Sequence, residues 1–198
     1  RAATALFLRN GFHGTSIDEV ASHAGVSKQT VYKQFTDKER LFREIVEAVI
    51  GNSDALVAVI TAAFGDTIAT TCDELEARLC KAARVYLDGV LRVEVLSLRR
   101  LIIAEAERFP DLARSYYSQA PSRGIDVIAS CLQPYADSGL LAANDLWLAA
   151  AHFAYLALAI AQDRALFMPT ELPDPNERGR LAIAAARAFL AAYGTAKS

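Results

Sequence analysis

Apolar residues recur at three- and four-residue intervals along nearly the whole chain. Leu41, Phe42, Ile45, Val46, Val49 and Ile50 keep helical spacing, and so do Leu75, Leu79, Ala82, Ala83 and Tyr86. Stripes of this kind predict helices that each bury one face. Ala5, Leu6 and Leu8 with Phe12 read as the tail of a helix ending at Asn10–Gly11. Ser16, followed three residues later by Glu19, is a capping box that starts a helix near Ile17. Gly25 ends that helix, because glycine enters the left-handed region without steric cost, and Ser27 caps the next one. Thr36–Glu39 opens a long connecting helix with a possible kink at Gly51–Ser53. Thr71 with Glu74 is a second capping box, for a helix running to about Asp88–Gly89. Val93 and Val95 alternate as a strand would, but Leu98, Leu101, Ile102 and Ile103 continue the segment without turn residues, so it is read as helix. Pro110 and Pro121 suit first helical positions. Pro134 should disturb the last turn before Asp137–Gly139. Asn144 is read as the cap of a helix from Asp145 to about Phe167, and after a loop from Met168 to Asn176 a last helix spans Arg178 to Tyr193. The fold class expected is all-α.

Composition narrows the function. With 198 residues, 53% of them hydrophobic, the chain can bury a good core in one or two packed domains. The net charge of −2 is unevenly spread. Residues 1–36 carry Arg1, Arg9, Lys28 and Lys33 against Asp18 and Glu19, a local +2, which leaves −4 for the rest. A basic head on an acidic body suits a protein that touches nucleic acid at one end. Cys72, Cys80 and Cys131 show no paired spacing and no histidine at ligand distance, so buried thiols, no metal, no cofactor and a cytoplasmic setting are expected. No signal peptide is visible, and a native segment is expected to precede Arg1. From Leu146 to Gln162 the chain has no charge, yet this run falls short of the roughly 20 residues of a membrane span. No membrane partner is expected, and the helix is expected to be covered on all sides by its own body and a second subunit.

The most specific stretch runs from Ser16 to Phe35. Ala21, Gly25 and Val31 stand where a helix-turn-helix needs a small residue at the crossing, a glycine in the turn and an apolar lock. Val31 and Phe35 then face inward, which leaves Lys28, Gln29, Thr30, Tyr32 and Lys33 toward solvent, with donors suited to phosphates and base edges. Gly11–Phe12 and Thr15 precede the motif, and Tyr32, Phe35, Lys38, Leu41 and Phe42 follow it in fixed register. This pattern resembles the N-terminal DNA-binding domain of the TetR/AcrR family of bacterial repressors over roughly residues 1–50. The resemblance implies that Thr15, Ser16 and the helix after the turn meet the DNA. Lys28, Gln29 and Thr30 become the candidates for base edges, and Ser27, Tyr32, Lys33 and Lys38 for phosphates.

Residues 51–198 are then expected to form a helical effector-binding and dimerisation domain behind the three-helix head of residues 1–50. Leu98–Leu112 looks like an effector-domain segment of some AcrR-type regulators, which implies an apolar pocket for a small molecule. Tyr86, Phe109, Tyr116, Tyr117, Trp147 and Tyr155 are the candidate walls. Arg99 and Arg100 lack a carboxylate in their own helix and are candidates for an anionic group. His13 and His23 read as surface or packing residues, and His152 as a core or interface histidine. One recognition helix buries little, so a homodimer is expected, through helices around 121–136 and 145–167, placing two heads roughly 34 Å apart on a palindromic operator of double-stranded DNA. The competing classes are an interaction module with a degenerate helix-turn-helix and an enzyme. Tyr32, Lys33 and Lys38 argue against the first, and the lack of a phosphate loop, nucleophile elbow or catalytic constellation against the second.

Overall fold

The structure, a computed structural model, describes residues 2–50 and 54–195. Their elements are helical, with one isolated bridge between Leu141 and Gly194. Eleven α-helices are described: α1 Ala2–Asn10, α2 Ile17–Ala24, α3 Lys28–Gln34, α4 Lys38–Ile50, α5 Asp54–Phe64, α6 Cys72–Val90, α7 Val93–Ala104, α8 Pro110–Tyr117, α9 Arg123–Asp137, α10 Leu146–Phe167 and α11 Pro175–Tyr193. They fall into two compact units. One comprises residues 1–53 and 93–120, the other 54–92 and 121–198.

In the first unit α1 packs against α2, α4 and α7, while α8 packs on α4 and α7. Its core joins Phe7, Phe12, Phe42 and Val46 to Leu101, Ile102, Phe109 and Leu112, so helices α7 and α8 share one apolar cluster with the N-terminal head. Phe12, Phe42 and Phe109 meet pairwise at 5.2 to 5.3 Å between ring centres, the tilted and edge-on arrangements that aromatic quadrupoles favour. Arg43 of α4 ties down α8 through Asp111 at 2.5 Å.

In the second unit α6 and α11 run together, with α5 and α10 also on α6, and α9 between α5 and α10. Leu75, Leu79, Ala82, Ala83 and Tyr86 are all buried, as their spacing predicts. Gly89 permits the close approach of α5, because a Cβ there would lie 2.4 Å from a methyl of Leu56. Arg78 links three elements: its guanidinium donates to the carbonyls of Phe64 and Thr67 and to the Tyr135 hydroxyl.

Several boundaries differ from the sequence reading. Asp145, not Asn144, caps α10, since its carboxylate accepts the Leu148 amide at 2.9 Å. Asp174 caps α11 at Pro175, three residues before Arg178, and α6 runs through Gly89 to Val90. Pro121 starts no helix. It lies in a π-helical segment, Ser118–Ser122, that carries α8 into α9. Pro134 is accommodated inside α9, which continues to Asp137. At Thr71 only half of the box forms, because Glu74 takes the Thr70 amide instead. The expected kink at Gly51–Ser53 lies outside the described residues. Helix α10 is long and apolar enough to cross a membrane by length and composition, and half of its most apolar stretch is buried within its unit. Its own unit covers one side and leaves Trp147, Leu148, Tyr155, Leu156, Ile160 and Phe167 exposed.

Candidate nucleic-acid interface and a groove in the second unit

Short-range chemistry builds the head. Ser16 Oγ accepts the Glu19 amide at 3.1 Å while the Ser16 amide donates to Glu19 Oε2 at 2.9 Å, so both free donors at the start of α2 are satisfied. These contacts hold the Glu19 carboxyl below its ordinary value, the Ser16 amide contributing most. Gly25 takes φ +67°, and the Val26 amide returns to the Ala21 carbonyl, closing α2 and turning the chain. Ser27 Oγ then accepts the Thr30 amide at 3.1 Å and starts α3.

Ala21 and Val31 are buried at the crossing, as the motif requires. Lys28, Gln29, Thr30, Tyr32 and Lys33 are consequently all exposed on α3. Lys28 Nζ lies 2.8 Å from Asp18 Oδ1 on α2, a contact that raises the lysine's pKa. The hydroxyls of Ser27 and Thr30 are 2.8 Å apart and bonded to each other. Ser16 is exposed at the start of α2. Lys38 opens α4 half-buried, its ammonium 4.5 Å from the centre of the Phe12 ring, and burial foremost, then the charge of Arg108, lowers its pKa.

Thr15 departs from the candidate set. It is 1% exposed and its hydroxyl donates to the Gly11 carbonyl at 2.8 Å, so its side chain closes the turn before α2 and offers nothing to a ligand. Phe35 is half-buried.

The eight candidate effector residues are divided between the two units. Arg99, Arg100, Phe109, Tyr116 and Tyr117 belong to the first unit, and Tyr86, Trp147 and Tyr155 to the second. Phe109 and Tyr116 are core, and so is Tyr86 in the other unit, whereas Tyr117, Trp147 and Tyr155 are about half exposed. Arg99 and Arg100 are half-buried on α7, with Arg100 donating to Ser97 Oγ at 3.1 Å. His152 Nδ1 is 2.6 Å from the Tyr193 hydroxyl, and His23 Nδ1 is 3.1 Å from the Glu19 carbonyl; both histidines are exposed.

The second unit instead holds an open groove of about 570 Å³ between the end of α5, the following loop and α9. Phe64, Ile68, Val127 and Tyr135 give it apolar walls, and Arg123, Asp126 and Ser130 a polar side. None of the eight candidates lines it. One sequence signal pointed there: Arg123, Asp126, Val127, Ser130, Cys131 and Pro134 are spaced as one helix face on which polar and apolar residues mix. Burial raises the pKa of the Cys131 thiol. Among the described residues no group of histidine, cysteine and carboxylate side chains is arranged to hold a metal.

Comparison with known proteins agrees with this architecture. Residues 1–45 match the model of the bacterial regulatory proteins of the TetR family, and residues 77–195 match the C-terminal domain of AefR-like transcriptional repressors. The HTH-type transcriptional activator FasR of Mycolicibacterium smegmatis (strain ATCC 700084 / mc(2)155) is 32% identical over 89 residues, which is 45% of this chain. The match spans only 37% of that relative's length. A crystal structure described as a TetR-family transcriptional regulator from Mesorhizobium loti MAFF303099 is 39% identical and superposes with a TM-score of 0.85, covering 98% of this chain and 94% of that one. The Flavonoid-responsive Regulator FrrA is 28% identical with a TM-score of 0.65, covering 100% and 95% of the two chains. A head model and a body model both match, the second over more than half of the residues, and the chain therefore belongs to the TetR family of bacterial transcriptional regulators.

Proposed function

We propose that the chain is a cytoplasmic, homodimeric repressor that reads a palindromic operator with α3 and leaves it when a small, largely hydrophobic effector binds the second unit. The observation that carries the DNA-binding part is the exposed row Lys28, Gln29, Thr30, Tyr32 and Lys33 on a helix fixed by Ser27, Gly25 and Val31. Lys28 and Gln29 have the donors to read base edges. Tyr32, Lys33, Lys38 and the exposed Ser16 serve phosphates, which set affinity and salt dependence. Of the hydroxyls of Ser27 and Thr30, the one that accepts their mutual hydrogen bond keeps its own hydrogen to donate.

Repression is the sign favoured by the AefR-like description of the matched C-terminal domain, although FasR is an activator. The groove between α5 and α9 has the size and the mixed lining of a small-molecule site, and FrrA is described as flavonoid-responsive. Dimerisation is supported by the apolar stripe left exposed on α10, with Ile183 of α11 exposed as well. The exposed positions of α9 are Arg123, Asp126, Ser130, Gln133 and Asp137, all polar, so the pairing face is assigned to α10 and α11.

Selection of duplexes from a random-sequence pool, followed by competition with scrambled duplex, tests DNA reading. Recovery of a palindromic motif supports the proposal, and recovery of none leaves the head as an interaction module. Val127→Trp, which fills the groove, should abolish any effector-induced release while leaving DNA affinity intact.

A further inference from the structure

We infer that Arg108, in the turn between α7 and α8, contacts the DNA backbone together with Lys38. The inference rests on the DNA-binding reading above and extends its phosphate surface to a residue seventy positions from Lys38 in the chain. The Arg108 guanidinium carbon lies 4.6 Å from the centre of the Phe12 ring, and Lys38 Nζ lies 4.5 Å from the same point. The two cations can therefore be no further apart than those two distances combined, a span suited to one phosphate or two neighbouring ones on a strand.

Packing fixes the place of Arg108. Its neighbour Phe109 is 2% exposed, wedged 5.2 Å from Phe12 and 5.3 Å from Phe42, and the amides of both Arg108 and Phe109 donate to the Glu105 carbonyl. The backbone is thus held by the core of the head while the Arg108 side chain remains exposed. Among the described residues no carboxylate lies within salt-bridge distance of its guanidinium; its contacts are the faces of Phe12 and Phe109. Glu105, 4.0 Å from His13, and Glu19 act on Lys38 with opposite sign, but neither pairs with Arg108, whose charge is left in excess.

That excess acts on Lys38, whose pKa is lowered by burial and further by Arg108. Two like charges around one aromatic ring gain when an anion arrives. The anion is assigned to side chains and not to the start of α4, because Asp37 Oδ1 already accepts the Arg40 amide there at 2.8 Å. A phosphate diester fits this chemistry: singly charged, held at a surface already placed beside Lys38, and read without regard to sequence. Arginine suits the task, since its planar fork can bridge two phosphate oxygens.

The test compares wild type with Arg108→Gln, Arg108→Lys and Lys38→Ala, on a fluorescently labelled duplex that the wild-type protein has itself selected from a random pool. Anisotropy titrations across salt concentrations give the slope of log affinity against log salt, and thermal unfolding checks that each variant is folded. Arg108→Gln should weaken binding by roughly fivefold to tenfold and reduce the slope by about 0.9 per bound protomer, equally on selected and scrambled duplexes, while Arg108→Lys keeps most of the slope. An unchanged slope in a folded Arg108→Gln protein, with Lys38→Ala still lowering it, overturns this inference and leaves the DNA-binding reading standing. Loss of affinity in Arg108→Gln with no change of slope also overturns it, as the sign of a packing role. Salt-independent binding by the wild type would overturn both.

Discussion

The ammonium of Lys28 reaches back from the first turn of α3 to the carboxylate of Asp18 on α2, at 2.8 Å. The residue nearest the start of the recognition helix is thus partly neutralised by the helix it crosses. Both side chains are exposed, so the pair adds little to stability and much to where the lysine points. Asp18→Asn should release Lys28 toward DNA. Binding to scrambled duplex should tighten and its salt slope steepen, while the preference for the selected duplex falls. Anisotropy titrations on both duplexes check this.

Ser16→Ala removes the hydroxyl that accepts the Glu19 amide. Loss of an N-cap of this type costs about 1 kcal/mol, and the melting temperature should fall accordingly. The same cap sets part of the acid stability. The Glu19 carboxyl is held below 4.5 in the folded chain, foremost by the Ser16 amide, and Asp111 is held below 3.8, foremost by Arg43. Both groups favour the charged folded form. Their contributions are complete above the ordinary carboxylate values and are lost as pH falls through the lower folded values. Glu19→Gln should therefore flatten the loss of stability as pH falls through and below the ordinary carboxylate range, measured as melting temperature against pH.

Phe42 is fully buried and touches Phe7, Phe12 and Phe109. Phe42→Ala should cost about 3 to 5 kcal/mol, the range for emptying an aromatic site in a packed core. Because α7 and α8 share this cluster, hydrogen exchange should quicken at Leu101 and Ile102 together with Val46. Quickening confined to α4 would show that the cluster is not one cooperative unit.

Ile160 is 68% exposed in the middle of the apolar stripe of α10. Ile160→Glu should leave the melting of the isolated chain nearly unchanged and shift the molar mass, by light scattering, from dimer toward monomer. DNA affinity should fall with it, since two heads are needed to bury enough surface.

The sequence was informative wherever the chemistry was local. Ser16 with Glu19, Gly25 and Ser27 each act on amides within a few residues, so their roles could be read before any tertiary contact was known. Reading failed where a distant partner decides. Pro121 carries a helix start signal, yet it falls inside the π-helical segment Ser118–Ser122. The candidate pocket aromatics were chosen for size alone. Tyr86, Phe109 and Tyr116 had core to fill, and the groove is lined by α5, a loop and α9, which lie far apart in sequence. The resemblance placed Thr15 at the DNA, but the Gly11 carbonyl takes its hydroxyl. Arg108 carried no local signal: only the packing of Phe109 into the head brings it beside Lys38.

The account stands or falls with the outward face of α3. The most direct measurement is competition between a duplex that the protein selects from a random pool and a scrambled duplex of the same length, for wild type and Gln29→Ala. We expect wild type to prefer the selected duplex by at least about a thousandfold, and Gln29→Ala to lose roughly tenfold or more of that preference while its affinity for scrambled duplex is unchanged. Equal affinity of the wild type for both duplexes, or a preference untouched by Gln29→Ala, would contradict it.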